Sequence, residues 1–558
     1  MNERHQTFQS LYGKYSDGEF FEAEVGVRDA LGKWPENAEM LQLGALTALE
    51  LNQNVTAHQR IDRVIEMTPM TAEIANIRGR ILKASGDWEA AERAYSLALK
   101  LNPKFERARL NRLNLFVISE QPKRVLEELH GHHDFGVVGD IAKAQALTEL
   151  GRYIEALEVL ENINEEAFQD RVLYQNLKCF SALGKLEDLR GAFSRLSFES
   201  PLYPKALSVV VNGYEMRGER LLAVDLLKTS VENPNPSISL QAVRLLRTLD
   251  EVDEANSNLT ALFNMHPENI DILSDVAEAT RKDGRADESC EIYKRALTLR
   301  PGDYGALLGY AQSAIVAGHF SEAQTVLQAA LQQVPNNQLL LALVATLLRE
   351  QGVSHTHLHN YDKFVRVYDL VPPKGYETIS DFNLALKDKL DALHVYEKAP
   401  VNQSLRQGTQ TEMDLSLIDD PVLRAFFDAI DAPIRDYMKT IGHDPSHPLL
   451  RRNSEAYRVQ GAWSVRLQSH GHHVNHVHPM GWMSSAYYVD LPKNMSGNDK
   501  QGWIKFGEPN LNIDQPAEHY VEPKAGRLVL FPSYMWHGTV PFVGPDTRLT
   551  LPFDVVPA

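Results

Sequence analysis

The chain has 558 residues, 43% hydrophobic and 23% charged, with 33 Gly and 28 Pro, a composition that excludes collagen-like, mucin-like and wholly disordered polypeptides. Lys plus Arg at 57 against Asp plus Glu at 74 gives a net charge of −17, which opposes binding to nucleic acid or an anionic membrane. Two cysteines, Cys179 and Cys290, exclude a disulfide framework and an all-thiolate zinc site, so any metal must be held by His and carboxylates. The longest apolar-looking run, Leu339 to Leu348, is about half of a membrane span, and the N-terminal MNERHQTFQS has no apolar signal core. A cytoplasmic protein is expected.

From the N-terminus onward the chain repeats itself. The clearest unit, Thr71 to Pro103, reads as a helix, a turn at Gly86-Asp87, a second helix and a proline stop, with Trp88, Ala91, Ala94, Tyr95, Ala98 and Leu99 on helical spacing. Pro35, Pro69 and Pro103 lie 34 residues apart, and Pro267, Pro301 and Pro335 keep the same step, as do Gly284, Gly318 and Gly352. Extending the phase, with one short step in the middle, predicts turns at Gly18, Asn52, Gly86, Glu120, Gly151, Gly184, Gly218, Asp250, Gly284 and Gly318, and so about ten helix–turn–helix units over 1–352. Taken singly, each small or aromatic residue is a packing residue. The period, the small-residue pattern (Gly151, Tyr153, Ala156; Gly318, Phe320, Ala323, Ala330) and the closing proline resemble the tetratricopeptide repeat family. That resemblance implies an all-α superhelix whose concave face binds a protein or peptide.

After Gly352 the phase is lost. Residues 353–400 read as a linker and helical lead-in with a helix over 379–393, and His355, His357 and His359 in it read as a solvated segment. Residues 401–558 form a C-terminal domain: helical over 415–441, then strand-like from Ala462. Seven of the 20 histidines fall between His443 and His478, five of them in SHGHHVNHVHP at 469–479. In a continuous strand His472, Val474, His476 and His478 share one face, and His473, Asn475 and Val477 the other. His537 follows on a later strand, and Arg548-x-Thr550 begins eleven positions beyond it. Such an order lets one metal sit between the halves of a β-barrel or jelly roll, with a cation and a hydroxyl nearby to hold a carboxylate. His132-His133-Asp134 and His266-Pro267-Glu268 mimic ligand spacing, but at repeat turns without partnered strands.

The segments QSLRQGTQT (403–411), WSVRLQSHGHHVNHVHPMGWMSSAYYV (463–489), QGWIKFGEP (501–509) and LFPSYMWHGTVPF (530–542) resemble the 2-oxoglutarate/Fe(II) oxygenase domain found after tetratricopeptide repeats in bacterial proteins. The resemblance covers under a third of the chain. It implies a double-stranded β-helix with flanking helices, Fe(II) held by His476, His478 and His537, and 2-oxoglutarate held by Arg548 and Thr550, with Tyr487 or Tyr488, whichever faces inward, as a further contact. At 478 most of the superfamily carries Asp or Glu; here His removes that charge, and Asp490 or Glu508 are candidates to restore a carboxylate. His472 and His473 are expected around the site rather than on the metal, and Trp482 and Trp536 in the packing. No catalytic residue beyond the metal centre is implied.

The fold expected is therefore multidomain, a repeat superhelix followed by a jelly-roll oxygenase. The activity implied is hydroxylation of a recruited protein or peptide, with 2-oxoglutarate decarboxylated to succinate. Two alternatives stay open: a repeat scaffold with a degenerate metal-binding β-domain, or a three-His dioxygenase that does not use 2-oxoglutarate.

Overall fold

The structure, a computed structural model, describes residues 3–130, 135–401, 403–492 and 499–558. The His132-His133-Asp134 motif lies outside the described residues. The chain divides into two units, Met1–Val172 and Leu173–Ala558. Helix pairs follow one another in both, from Glu3–Ser16 with Phe20–Lys33 to Tyr304–Val316 with Phe320–Gln333, and the helix Gln338–Glu350 closes the series.

Every predicted turn residue adopts a left-handed backbone, with φ between 54° at Glu120 and 83° at Gly284. That conformation suits Gly and is tolerated by Asn52 and Asp250; Glu120 is the position where a longer side chain holds it against its preference. A second series of the same period caps the first helix of successive repeats. Asn235, Asn269, Asp303 and Asn337 each accept a hydrogen bond from a first-turn N–H, each worth about 1 kcal/mol. Between the paired helices, a Cβ on Gly79 would stand 2.5 Å from the Tyr95 ring, and one on Gly309 2.2 Å from that of Tyr293, so the absent side chain is what lets these buried tyrosines lie against the neighbouring helix.

The C-terminal half of the second unit is built on antiparallel strands: β1 (Arg366–Asp369), β2 (Leu405–Gln410), β3 (Tyr457–Ala462), β4 (Val465–His473), β5 (Met483–Asp490), β6 (Ile504–Phe506), β7 (His519–Val521), β8 (Arg527–Pro532), β9 (His537–Thr539), β10 (Arg548–Thr550) and β11 (Phe553–Pro557). The large sheet runs β1-β8-β5-β10-β4-β2, with β11 pairing both β3 and β5; the small one runs β7-β6-β9. The helices Ile379–Leu393 and Pro421–Ile441 cover the outer face of the large sheet, where the Tyr487 hydroxyl donates to Asn383 (2.6 Å) and Phe426 packs on the Tyr487 ring (centroids 5.1 Å apart).

Residues 353–400 are woven into this domain, since β1 pairs along its length with β8 and Phe382, Leu386 and Leu390 join the core. Of His355, His357 and His359, expected from the sequence in a solvated segment, His357 is exposed, His355 is half-buried and His359 departs from the expectation. His359 is buried and stacks on Tyr534, and the His357 carbonyl accepts a hydrogen bond from His447; a turn after the last repeat helix folds the segment onto the small sheet.

Candidate functional site

Three imidazoles converge where the two sheets meet. His537 leads β9, and the segment after β4 reaches it through a two-way backbone bridge, His476 N to His537 O (2.9 Å) and His537 N to His476 O (3.0 Å). Gly538 permits the approach: a Cβ there would lie 2.4 Å from Asn475 Oδ1 and 2.9 Å from the His473 carbonyl. One nitrogen from each of His476, His478 and His537 then falls within 4.8 Å of the others. His355, His359 and Glu518 form a second such group.

The strand phase expected from the sequence does not survive. His470 is left-handed (φ 63°), the β2–β4 register shifts between Arg406 and Gly408, and β4 ends at His473. His473 rather than His472 therefore joins His476, with ring centroids 5.8 Å apart and its Nδ1 2.9 Å from the Ser404 hydroxyl. The His472 ring turns back on its own strand, its Nδ1 3.1 Å from the His470 carbonyl.

Each of the three converging rings has its outer nitrogen engaged. Nδ1 of His476 donates to the Val474 carbonyl (2.9 Å), Nδ1 of His537 to the Met535 carbonyl (2.9 Å), and Nδ1 of His478 to both oxygens of Asp554 (2.7 Å each). Those acceptors fix the tautomer that leaves Nε2 with its lone pair turned inward. Burial holds the His476 imidazole neutral, its pKa lowered to about 3, and that of His537 well below the usual range. Two such lone pairs, His476 Nε2 and His478 Nε2, face each other at 3.2 Å. Without a cation that contact is repulsive; about 3 Å is the separation of two imidazoles bound cis to one metal at about 2.1 Å. The donor set fits a divalent ion.

The carboxylate lost at 478 returns one step further out. Asp490 pairs with Lys387 (3.0 Å) and Glu508 with Lys505 (2.6 Å), so neither sequence candidate serves. Asp554, which also accepts from Ser484 (2.7 Å), supplies the charge through His478. Its only signal in the sequence is an acid inside the apolar strand PFDVV.

A cavity of about 520 Å³ opens on the cluster, lined by Trp463, Ile504 and Phe531 as well as by Arg548 and Thr550 of β10. Arg548 is 2% exposed, and its Nε has no hydrogen-bond partner among the described residues. The Tyr488 ring lies 5.0 Å from its guanidinium carbon, whereas Tyr487 is on the outer face. Burial lowers the Arg548 pKa. A buried guanidinium without a carboxylate partner is costly, and an anion in this cavity completes it, which fits the far carboxylate of 2-oxoglutarate.

Residues 461–554 match the family described as Putative 2OG-Fe(II) oxygenase, and residues 43–112 and 280–347 match two families described as Tetratricopeptide repeat. The chain is a tetratricopeptide-repeat protein with a C-terminal domain of that oxygenase family. The oxygenase match runs from the end of β3 into the start of β11 and so contains His476, His478, His537, Arg548 and Asp554. No curated protein matches the chain. Among solved structures, the Cut9–Hcn1 hetero-tetramer of the APC/C is 12% identical over 64% of this chain and 86% of that chain, with a TM-score of 0.28. PilW, a type IV pilus biogenesis factor, is 17% identical over 37% of this chain and 100% of its own (TM-score 0.32), and Pseudomonas aeruginosa pilF 17% over 36% and 95% (0.30). In the oxygenase domain both sheets line the cavity, and the three imidazoles come from β9 and from the segment between β4 and β5.

Proposed function

We propose that the chain is an Fe(II)- and 2-oxoglutarate-dependent dioxygenase that hydroxylates a protein or peptide segment recruited by its repeats. The observation that carries this reading is one cavity holding both three inward-facing, tautomer-locked imidazoles and the buried, carboxylate-free Arg548. His476, His478 and His537 hold the iron, Arg548 and Thr550 the far carboxylate of 2-oxoglutarate, and Tyr488 shields the guanidinium. Bound iron and 2-oxoglutarate supply the oxidising power, with succinate and carbon dioxide as coproducts.

The chain's own residues do the rest. Asp554 keeps the proton on His478 Nδ1 and lends that ring negative character, which offsets the missing first-sphere carboxylate. Trp463, Ile504 and Phe531 keep water from the reacting centre. A scaffold with a structural metal has no use for a buried cation aimed into the same cavity, so Arg548 favours the 2-oxoglutarate enzyme over both alternatives. The buried thiols Cys179 and Cys290 accord with a cytoplasmic location.

Fe(II) and 2-oxoglutarate added without oxygen are expected to give a metal-to-ligand charge-transfer band, and oxygen then to yield succinate. Absence of the band, together with succinate no higher than in His537→Ala, refutes the reading.

A further inference from the structure

A second cavity, again of about 520 Å³, separates the last repeats from the oxygenase domain, and none of the assigned chemistry uses it. One wall is helical, with Glu278, Arg281 and Lys282 from the helix Ile270–Lys282 and Gln312 from the next repeat; the other holds Asn475, His476 and Trp536. His476, Val477 and Pro479 line this groove and the metal-facing cavity alike. The groove therefore borders the histidine cluster, with His476 common to both.

The charges on the helical wall are unevenly matched. Arg244 pairs with Asp275 (2.6 Å) and Lys282 with Glu278 (2.6 Å). Arg281 is only 6% exposed, yet among the described residues its guanidinium hydrogen-bonds only to the neutral Gln312 amide oxygen, 3.4 Å from Nη2, and its Nε has no hydrogen-bond partner. Arg244 and Lys282, both more exposed, touch their carboxylates directly, whereas the acid near buried Arg281, Glu278, acts on it only through space and is held in contact by Lys282. A desolvated guanidinium without an anion is the arrangement that a ligand's carboxylate completes with paired, charge-assisted hydrogen bonds.

We infer that this groove is the substrate channel and that Arg281 reads a carboxylate in it, so that the substrate is a peptide segment carrying an Asp or Glu side chain near the residue presented to the metal. The inference rests on the proposed function and narrows its substrate class. Neutral amides at Gln312, Asn475, Asn510 and Asn512 offer donors and acceptors suited to an extended backbone, and Leu339, Val477 and Trp536 give it apolar contact. A single unpaired guanidinium with Glu278 close by matches one negative charge and opposes a doubly charged phosphate. The cavity has the size that buries a short stretch of chain.

The test uses the full chain without iron or oxygen, and fluorescent peptide libraries that share a degenerate sequence around one fixed residue, Asp, Asn or Lys. The Asp library is expected to bind at least about tenfold more tightly than the Asn library. Arg281→Gln is expected to erase that preference and Arg281→Lys to retain part of it, with unchanged thermal melting showing that both variants are folded. Equal binding of the Asp and Asn libraries, an acid preference that survives Arg281→Gln, or no binding by any library overturns the inference. Displacement of the Asp library by free N-acetyl-aspartate as effectively as by unlabelled peptide also overturns it, because the occupant is then a small acid. Since no turnover is read, this failure is separate from loss of the charge-transfer band, which bears on the oxygenase reading alone.

Discussion

Two groups of side chains in the second unit bring three ligand-capable atoms within 4.8 Å, His476–His478–His537 and His355–His359–Glu518, and they differ in everything else that matters to a metal. In the first, every outer nitrogen is taken by an acceptor and the inner ones face a cavity, with only the Ser404 hydroxyl, 3.3 Å from His476 Nε2, as a further contact among the described residues. In the second, Glu518 is already shared by Tyr361 (2.8 Å), His355 (3.1 Å) and the Arg349 guanidinium (3.4 Å), while His359 Nδ1 meets the same Tyr361 hydroxyl at 3.3 Å. The Arg349 guanidinium, the Tyr361 hydroxyl and His355 already engage the one carboxylate that a divalent ion would need. Convergence of donors is common; convergence of donors whose remaining bonding capacity has been used up on the far side is what marks a metal centre.

The sharpest way to break that contrast is to remove a ring from each group. His537→Ala is expected to weaken Co(II) or Fe(II) binding by at least about a hundredfold, and His355→Ala to change it by less than about twofold, in anaerobic titrations; comparable losses from both would erase the distinction. Next, Asp554→Asn keeps the shape beside His478 and removes its charge, with metal affinity expected to fall about 10- to 100-fold. Arg548→Ala is expected to raise the 2-oxoglutarate dissociation constant about tenfold or more while sparing the metal; loss of both indicates a collapsed site.

The smallest effect concerns His359, whose pKa burial pushes down to about 3. The unfolded chain takes up a proton near pH 6.5 that the folded ring refuses. Its cost is absent above that pH and grows as pH falls toward 3, by about 1.4 kcal/mol per pH unit. Urea midpoints of the metal-free protein between pH 7 and 5, assay values bracketing that onset at about 6.5, are expected to decline more steeply for the parent than for His359→Phe.

The repeats were legible because their signals are local. A left-handed turn selects Gly, Asn or Asp at that one position, so the turns from Gly18 to Gly318 mark themselves, Glu120 excepted, which only the 34-residue phase locates. The His-x-His pair and the distal His are also visible as residues, and the structure brings these three together. Less visible was anything set by strand pairing. Asp554 reaches His478 because β11 lies against β5, a contact between residues 76 apart. A left-handed residue at His470 and an early end to β4 overturned the assumed alternation. The facing of Tyr487 and Tyr488 depended on which side of β5 the two covering helices occupied, which no single strand declares.

The helix Gln338–Glu350 ends the repeats, yet its other face is part of the oxygenase domain. Leu340, Leu343 and Leu347 share one buried cluster with Val477 and Trp536. The Trp536 indole donates to Thr346 (3.1 Å), Gln515 to the Thr346 carbonyl (3.0 Å) and Arg349 to the carbonyls of Gly507 (2.9 Å) and Pro516 (2.7 Å). A cut at Gly352 would strip the residue beside His537 of its cover and leave an indole and a valine facing water. Exchange of one repeat array for another, by recombination or by design, therefore has to carry this last helix along with the C-terminal domain, and only the repeats upstream of it can be replaced without uncovering Trp536 and Val477.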